Sequence, residues 1–366
     1  MFIMKKILYI TSSIPDSGPT QQLFNIIQAL DRKRFEPILV TLAGQMEGDR
    51  SLIFETLDLE MHRLSLGGLR GIFPGNTIKQ LIKKIKPDLV HSQGFRPDIL
   101  CMMLGLKVPR VLTIRNAPFS DYPSKFGGVI GYLMAVVHVI AIKSCDHPVA
   151  CSESLKGVFA RYNIQAKVIR NGVNFGSCFK REESLANTSA KTLFVTAGSL
   201  IPRKNIELMG RVFNSKILDG SGDLVVLGDG FLRSACEKYA ADNVVFLGHV
   251  DDTYKHLCLA DFYISLSLSE GMPNGVLEAL SVGLPCLLSN IEPHREIAAA
   301  MPNCVFLVDH LSSEEQVASQ ILEVLSQCYK FERESIKAKA QDLFDSKLNS
   351  KSYQASYLEL TEVQYE

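Results

Sequence analysis

The sequence predicts an α/β chain made of two successive doubly wound halves, on three observations. Short apolar runs of strand character recur along it, each followed by a glycine- or proline-containing loop and then a segment of helical spacing. At 366 residues the chain exceeds what one ordinary core holds. A polar, charged and aperiodic stretch, Phe175–Lys191, interrupts the series near its middle and reads as a linker and hinge. The expected domains are residues 1–174 and 175–349, followed by a last helix over about 350–366.

In the first half, Met1–Lys6 carries only a short apolar piece, so Ile7-Leu8-Tyr9-Ile10 reads as a buried strand and not as a signal peptide. The loop Ile14–Thr20 follows, and Gly18 would face a ligand there, because doubly wound folds bind at the carboxyl ends of their strands. Leu23, Ile26, Ile27 and Leu30 recur at helical spacing before a second strand, Pro37–Leu42. Helix Thr77–Lys86 sets Lys79, Lys83 and Lys86 on one face, which suits plain solvation or contact with an anionic lipid surface or a lipid diphosphate. Strands Leu89–His91 and Val108–Ile114 run into His91 and into Arg115-Asn116, at strand ends where chemistry collects. Gly127–Ile142 is the most apolar segment, but it is shorter than the about 20 residues that cross a bilayer and contains His138, so a buried or interfacial helix is expected. Ser152 is a good N-cap for a helix over Glu153–Tyr162, and Val168–Val173 closes the half.

The second half opens with strand Thr192–Ala197, the loop Gly198–Asn205 and helix Ile206–Phe213. Strand Asp223–Leu227 leads into Gly228-Asp229-Gly230, and strand Val244–Leu247 into Gly248-His249-Val250. Arg233 stands where a dinucleotide fingerprint needs its third glycine, so that motif is weak. Arg203-Lys204 is more telling: two cations in a loop at a strand's carboxyl end suit a diphosphate. Helical patterns over Ser313–Tyr329, Glu332–Phe344 and Ser352–Val363 end the chain.

Ser265–Leu280 is the most informative stretch. Strand Asp261–Leu268 meets a loop holding Gly271, Met272, Pro273, Asn274 and Gly275, then a short helix over Val276–Val282. The glycines let the backbone turn sharply and a ligand approach, while the helix points unpaired amides back at the loop, as a phosphate requires. Glu270 and Glu278 bracket the turn, and each carboxylate can hold a pair of neighbouring hydroxyls. Phosphate amides between two diol clamps describe a nucleotide-sugar site. The plain alternative is a solvated Glu270 and a Glu278 that complements the helix dipole from the first turn.

Composition narrows the partners. Basic and acidic residues balance at 39 each, which argues against nucleic acid. The 9 cysteines show no metal spacing and fit reduced thiols, with Cys258 and Cys286 as plain core residues. No Asp-x-Asp metal motif occurs.

Taken in order, Gly198-Ser199, Arg203-Lys204-Asn205, Gly228-Asp229-Gly230, Phe246-Leu247-Gly248, Ala260-Asp261, Glu270-Gly271-Met272-Pro273-Asn274, Leu277-Glu278-Ala279 and Gly283-Leu284-Pro285 resemble the family 4 retaining glycosyltransferases of the GT-B fold. The resemblance covers nearly the whole chain, includes the Glu-x7-Glu pair, and is strongest from Thr192 to Glu296. It implies two Rossmann-like domains facing each other across a cleft, with the last helix crossing back to the first domain. It also implies a nucleotide-sugar donor, UDP-linked, on the second domain and a saccharide or polyprenyl-diphosphate-linked acceptor on the first. Arg203 and Lys204 would bind the diphosphate with amides near Met272–Val276, Glu278 the ribose, Glu270 the transferred sugar, and His249 and Val250 would lie against the base. No cofactor or metal is expected, since cations and helix amides neutralise the leaving group. The chain departs from the family at Gly18, where adjacent glycines are usual, at Arg115, where His is usual, and at Asn174, where Asp is common. His91, Arg115 and Asn116 are the acceptor-side candidates.

The expected function is a cytoplasmic enzyme of bacterial surface polysaccharide synthesis, with peripheral contact to the anionic inner face of the membrane. A nucleotide-sugar 2-epimerase of the same fold and a non-catalytic sugar-nucleotide-binding protein are the rival readings.

Overall fold

The structure, a computed structural model, describes residues 4–45, 49–65, 75–175, 191–327 and 331–362. The chain divides into two units, residues 1–172 with 346–366, and residues 173–345. The boundary thus precedes the expected 174/175 junction by two residues, and all but the two ends of the Phe175–Lys191 stretch lies outside the described residues.

The first unit holds a parallel sheet of seven strands among the described residues: β1 (Lys5–Thr11), β2 (Phe35–Thr41), β3 (Glu60–Arg63), β4 (Leu89–Gln93), β5 (Arg110–Ile114), β6 (His147–Ala150) and β7 (Lys167–Val168). Their spatial order is β3-β2-β1-β4-β5-β6-β7. Helices cover both faces, so the central strands read as continuous apolar runs: Ile7, Leu8, Tyr9 and Ile10 are all buried. The order reverses at β1/β4, and Gly18 follows β1 there. Gly18 is already the first residue of helix Gly18–Gln28, with Pro19 behind it, rather than part of an open loop.

The last helix, Ser346–Glu362, starts several residues earlier than its apolar spacing predicts. Its first turns face inward with polar groups: Ser350 Oγ donates to Ile26 O at 2.8 Å, and Asn349 Nδ2 donates to Arg170 O. Gly172 makes room for it, since a Cβ there would stand 2.5 Å from Ser346 Cα. Tyr353 and Tyr357 complete the packing against Ile7 and Tyr9 in the first unit's core.

The second unit repeats the plan with β8 (Thr192–Ala197), β9 (Gly222–Leu227), β10 (Val244–Gly248), β11 (Phe262–Ser265), β12 (Cys286–Ser289) and β13 (Val305–Val308), in the order β10-β9-β8-β11-β12-β13. Its core gathers Phe194, Val212, Phe213, Leu224, Ile264 and Leu287. The reversal lies at β8/β11, where ligands bind in folds of this kind. Strand β11 ends at Ser265, short of the expected Leu268, because the chain turns to pair elsewhere: Leu268 N donates to Arg203 O at 2.7 Å and Asn205 Nδ2 to Leu266 O at 3.2 Å.

Sequence patterns missed helices Ser51–Glu55, Phe95–Leu104, Pro118–Phe126, Thr253–Leu259 and Glu292–Ala300, among others, and strands β3, β12 and β13. The strands are only four residues long, too short to show a period. Cys286 is a free buried thiol, whereas Cys258, expected to be another, is disulfide-bonded.

Candidate functional site

The site is assembled where the loops after β8 and β11 meet. The first makes a single 3-10 turn, Pro202–Lys204, closed by Asn205 at φ 55°, a left-handed conformation that asparagine tolerates. Asn205 also begins helix Ile206–Phe213, so the two cations sit on a turn held at both ends.

Those cations converge on one carboxylate. Arg203 Nη1 donates to Glu270 Oε2 at 2.7 Å and Lys204 Nζ to Oε1 at 2.6 Å, while Ser267 Oγ donates to Oε1 at 2.9 Å. The Glu270 side chain is only 6% exposed. Burial alone would raise its pKa, but Lys204 and Arg203 outweigh burial and hold the carboxyl at about 2. Two cations against one carboxylate leave an excess positive charge. Arg203 Nε is buried without a hydrogen-bond partner.

The glycines of the motifs explain how the turn is seated. Gly198 has φ 149°, and a Cβ there would press on Lys204 Cε at 3.3 Å. At Gly228, φ 122°, a Cβ would lie 2.1 Å from Gly198 O, and at Gly230 2.5 Å from Leu200 O. Gly228-Asp229-Gly230 therefore backs the cationic loop. Gly275, expected to admit a ligand, instead admits a neighbour: its Cβ would stand 2.4 Å from Tyr263 Oη, which donates to Ala197 O at 3.2 Å.

Gly271, Met272 and Pro273 are buried and lead into helix Asn274–Ser281, which has no side-chain cap. No acid lies in its first turn, so Glu278 does not complement the dipole as the plain alternative required. Glu278 is half-buried, and Val276 is packed inside. Burial and, after it, the nearby Glu278 charge push the Tyr254 hydroxyl pKa up. His249 is exposed and Val250 half-buried beyond the edge strand β10.

His294 went unnoticed in the sequence. It follows β12 on helix Glu292–Ala300 and is fully buried, with Nδ1 against Ser289 Oγ at 3.0 Å and Ser289 O at 2.9 Å. Burial lowers it to about 4 despite the Glu270 charge, so it is neutral, and Nε2 has no hydrogen-bond partner. The strand-end rule that drew attention to His91 applies equally here.

In the first unit the candidates separate. His91 is 2% exposed, with Nδ1 2.7 Å from Tyr357 Oη and Nε2 2.8 Å from Thr113 Oγ1. Burial, then the Arg115 charge, lowers it to about 3. Both ring nitrogens are used inside the core, so His91 is a packing residue and its place among the acceptor candidates is withdrawn. Arg115 donates through Nη1 to Asn171 Oδ1 at 2.8 Å and through Nη2 to Gln93 Oε1 at 3.2 Å. It is half-buried, as is Asn116 beside it.

Residues 17–176 match the family described as Glycosyltransferase Family 4, and residues 191–327 the family described as Glycosyl transferases group 1. An O-antigen biosynthesis glycosyltransferase, WclY of Escherichia coli, is 22% identical over 80% of this chain and 82% of its own length. An Escherichia coli UDP-Gal:alpha-D-GlcNAc-diphosphoundecaprenol alpha-1,3-galactosyltransferase is 26% identical over 59% of this chain and 61% of its own. The structure of Anabaena HepE in complex with UDP-glucose superposes with a TM-score of 0.74 at 16% identity, covering 97% of this chain and 100% of that one.

Proposed function

The chain belongs to glycosyltransferase family 4 and has the GT-B fold, and on that basis we propose that it transfers a sugar from a UDP-linked donor, with retention of configuration, to a lipid-linked saccharide in bacterial surface polysaccharide synthesis. The observation that carries the reading is the pairing of the buried Glu270 carboxylate with the half-buried cations Arg203 and Lys204 at the β8/β11 switch point. A diphosphate meeting the two cations takes over their hydrogen bonds, and Glu270 then accepts from hydroxyls of the transferred sugar. Glu278 holds the ribose, the amides around Met272–Val276 share the phosphate charge, and His249 and Val250 lie by the base.

In the reaction the bond between the anomeric carbon and the phosphate oxygen breaks as the acceptor oxygen attacks from the same face. The acceptor's proton passes to the departing phosphate, and Arg203 and Lys204 stabilise the charge that develops there. No metal and no protein nucleophile is needed. Arg115 and Asn116 serve the acceptor side, and Gly18 stands at the β1/β4 switch point of the first unit. Arg115 cannot act as a general base, because guanidinium keeps its proton, but it can bind phosphate or hydroxyl.

The UDP donor and lipid-linked acceptor draw support from relatives whose names specify them: a galactosyltransferase acting on a diphosphoundecaprenol-linked sugar, and a structure holding UDP-glucose. We place the enzyme in the cytoplasm at the inner face of the membrane, with Lys79, Lys83 and Lys86 towards anionic lipid. A thermal-shift screen across uridine and guanosine sugars tests the donor: a UDP-sugar raises the midpoint as it saturates the site, and a response to guanosine sugars alone overturns the assignment. Recovery of an epimerised nucleotide sugar would identify the rival epimerase.

A further inference from the structure

Helix Gly128–Lys143 is built inside out. Four of its five buried positions are small or polar, Gly131, Ala135, His138 and Ala141, and only Ile142 in its last turn buries a large apolar side chain. Its outward positions are large and apolar: Val129, Ile130, Tyr132, Leu133 and Ile140 are each between 54% and 78% exposed. A run of such side chains along one helix is far from the singly scattered apolar residues of an ordinary surface.

The orientation is fixed by specific contacts. A Cβ on Gly131 would stand 2.5 Å from Pro123 Cα, so only glycine lets this helix settle on helix Pro118–Phe126. Beneath it, Tyr122 Oη donates to His138 Nδ1 at 2.6 Å, and Nε2 donates to Asp98 Oδ2 at 2.9 Å. This chain of a half-buried tyrosine and two buried side chains ties Gly128–Lys143 to Pro118–Phe126 and Phe95–Leu104. Rolling the apolar face inward would break it and leave the Asp98 carboxylate buried without its partner.

The charges around the apolar face say what covers it. Helix Gly75–Ile85 packs against Phe95–Leu104, which packs against Gly128–Lys143. Across these helices and Pro118–Phe126, every cation is exposed: Lys79, Lys83, Lys84, Arg96, Lys125 and Lys143. Every carboxylate of these helices is buried: Asp98, and Asp121, whose Oδ2 accepts from Lys125 Nζ at 2.8 Å. A second copy docking through the same face would set cations against cations with no exposed acid on these helices to meet them. An anionic bilayer answers both features, taking the apolar side chains at its headgroup boundary and the lysines at its phosphates. The helix does not cross: among the described residues none is long and apolar enough to do so.

We infer that helix Gly128–Lys143 lies in the interface of an anionic membrane, and that it is the main element by which this chain reaches a lipid-linked acceptor. The inference rests on the lipid-linked acceptor proposed above and adds the contact surface, with the Lys79–Lys83 face as its electrostatic flank.

The test uses the full chain and vesicles of phosphatidylglycerol and phosphatidylethanolamine, without donor or acceptor. The sequence has no tryptophan, so Tyr132→Trp introduces a single reporter in the apolar face. Its emission is expected to shift to the blue on adding vesicles and to be quenched by lipids brominated in the acyl chains. The double variant Ile130→Ser, Leu133→Ser is expected to lose about tenfold in vesicle partition per side chain, with its melting temperature unchanged. Transfer to a water-soluble acceptor, measured without vesicles, is expected to be unaffected by the variant, so failure of docking and failure of the transfer reaction are read separately. An unshifted reporter, or equal partition of wild type and double variant, overturns the inference. So does a wild-type dimer in solution that the double variant abolishes, since the face would then belong to a second copy.

Discussion

Lys204 Nζ lies 2.6 Å from Glu270 Oε1, and the lysine's stem runs through the space that a side chain at Gly198 would occupy. Two positions of one loop and a glutamate far along the chain are thus set by one another: the glycine admits the lysine, the lysine helps to ionise the glutamate, and the glutamate holds the neighbouring Arg203.

Glu270→Gln should separate binding from transfer. The amide keeps the shape but leaves Arg203 and Lys204 uncompensated, which costs about 1.5–3 kcal/mol of stability as the charged hydrogen bonds weaken. Affinity for UDP, read by calorimetry, is expected to hold or rise because the cations are released, while sugar transfer falls. A parallel loss of UDP affinity would place Glu270 at the phosphates instead.

Glu278→Ala should weaken UDP binding by about 1–3 kcal/mol through loss of a charged hydrogen bond to ribose. Unchanged affinity would remove that role. Chelator should leave transfer intact, and restoration of activity only by an added divalent ion would contradict the metal-free mechanism.

Gly275→Ala is expected to cost about 1–3 kcal/mol by forcing Tyr263 aside, since the added Cβ would stand 2.4 Å from its hydroxyl. Tyr263→Phe in the same chain should recover part of the loss, measured by denaturant unfolding as a coupling between the two sites. Additive losses would mean that the phenol hydroxyl is not the obstacle.

Acid should destabilise the fold in two windows. Buried His91 and His294 are held down at about 3 and about 4, whereas the unfolded histidine takes its proton near pH 6.5. The unfolded chain therefore binds more protons below 6.5, and stability falls as pH drops from there towards 4 and 3. Glu270, held at about 2 against an ordinary 4.5, contributes above pH 4.5 and loses that contribution between 4.5 and 2. Melting temperatures recorded from pH 7 to pH 3 would show both windows, and a flat profile would contradict them.

Much of the fold was legible because buried parallel strands announce themselves as apolar runs, as Ile7–Ile10 and Thr192–Ala197 do. The four-residue strands β12 and β13 carry too few residues for a period, and the start of the last helix is hidden by inward-facing Ser346, Asn349 and Ser350. At the candidate site, Arg203, Lys204 and Glu270 were singled out by charge and spacing. Their mutual pairing was not, because it depends on the β8/β11 adjacency, which joins strands far apart in the chain. For the same reason Gly275 was read as an opening for ligand when its space belongs to Tyr263, and the outward face of Gly128–Lys143 was indistinguishable from a core helix.

The most direct measurement is UDP release from a UDP-sugar by wild type and by Lys204→Ala at equal enzyme concentration. The wild type is expected to release UDP, and Lys204→Ala to fall by about 100- to 1,000-fold, as when one preorganised donor to the leaving charge is removed. Release by both at the same rate, or by neither with any donor, would contradict the account of Arg203, Lys204 and Glu270 as the transfer site.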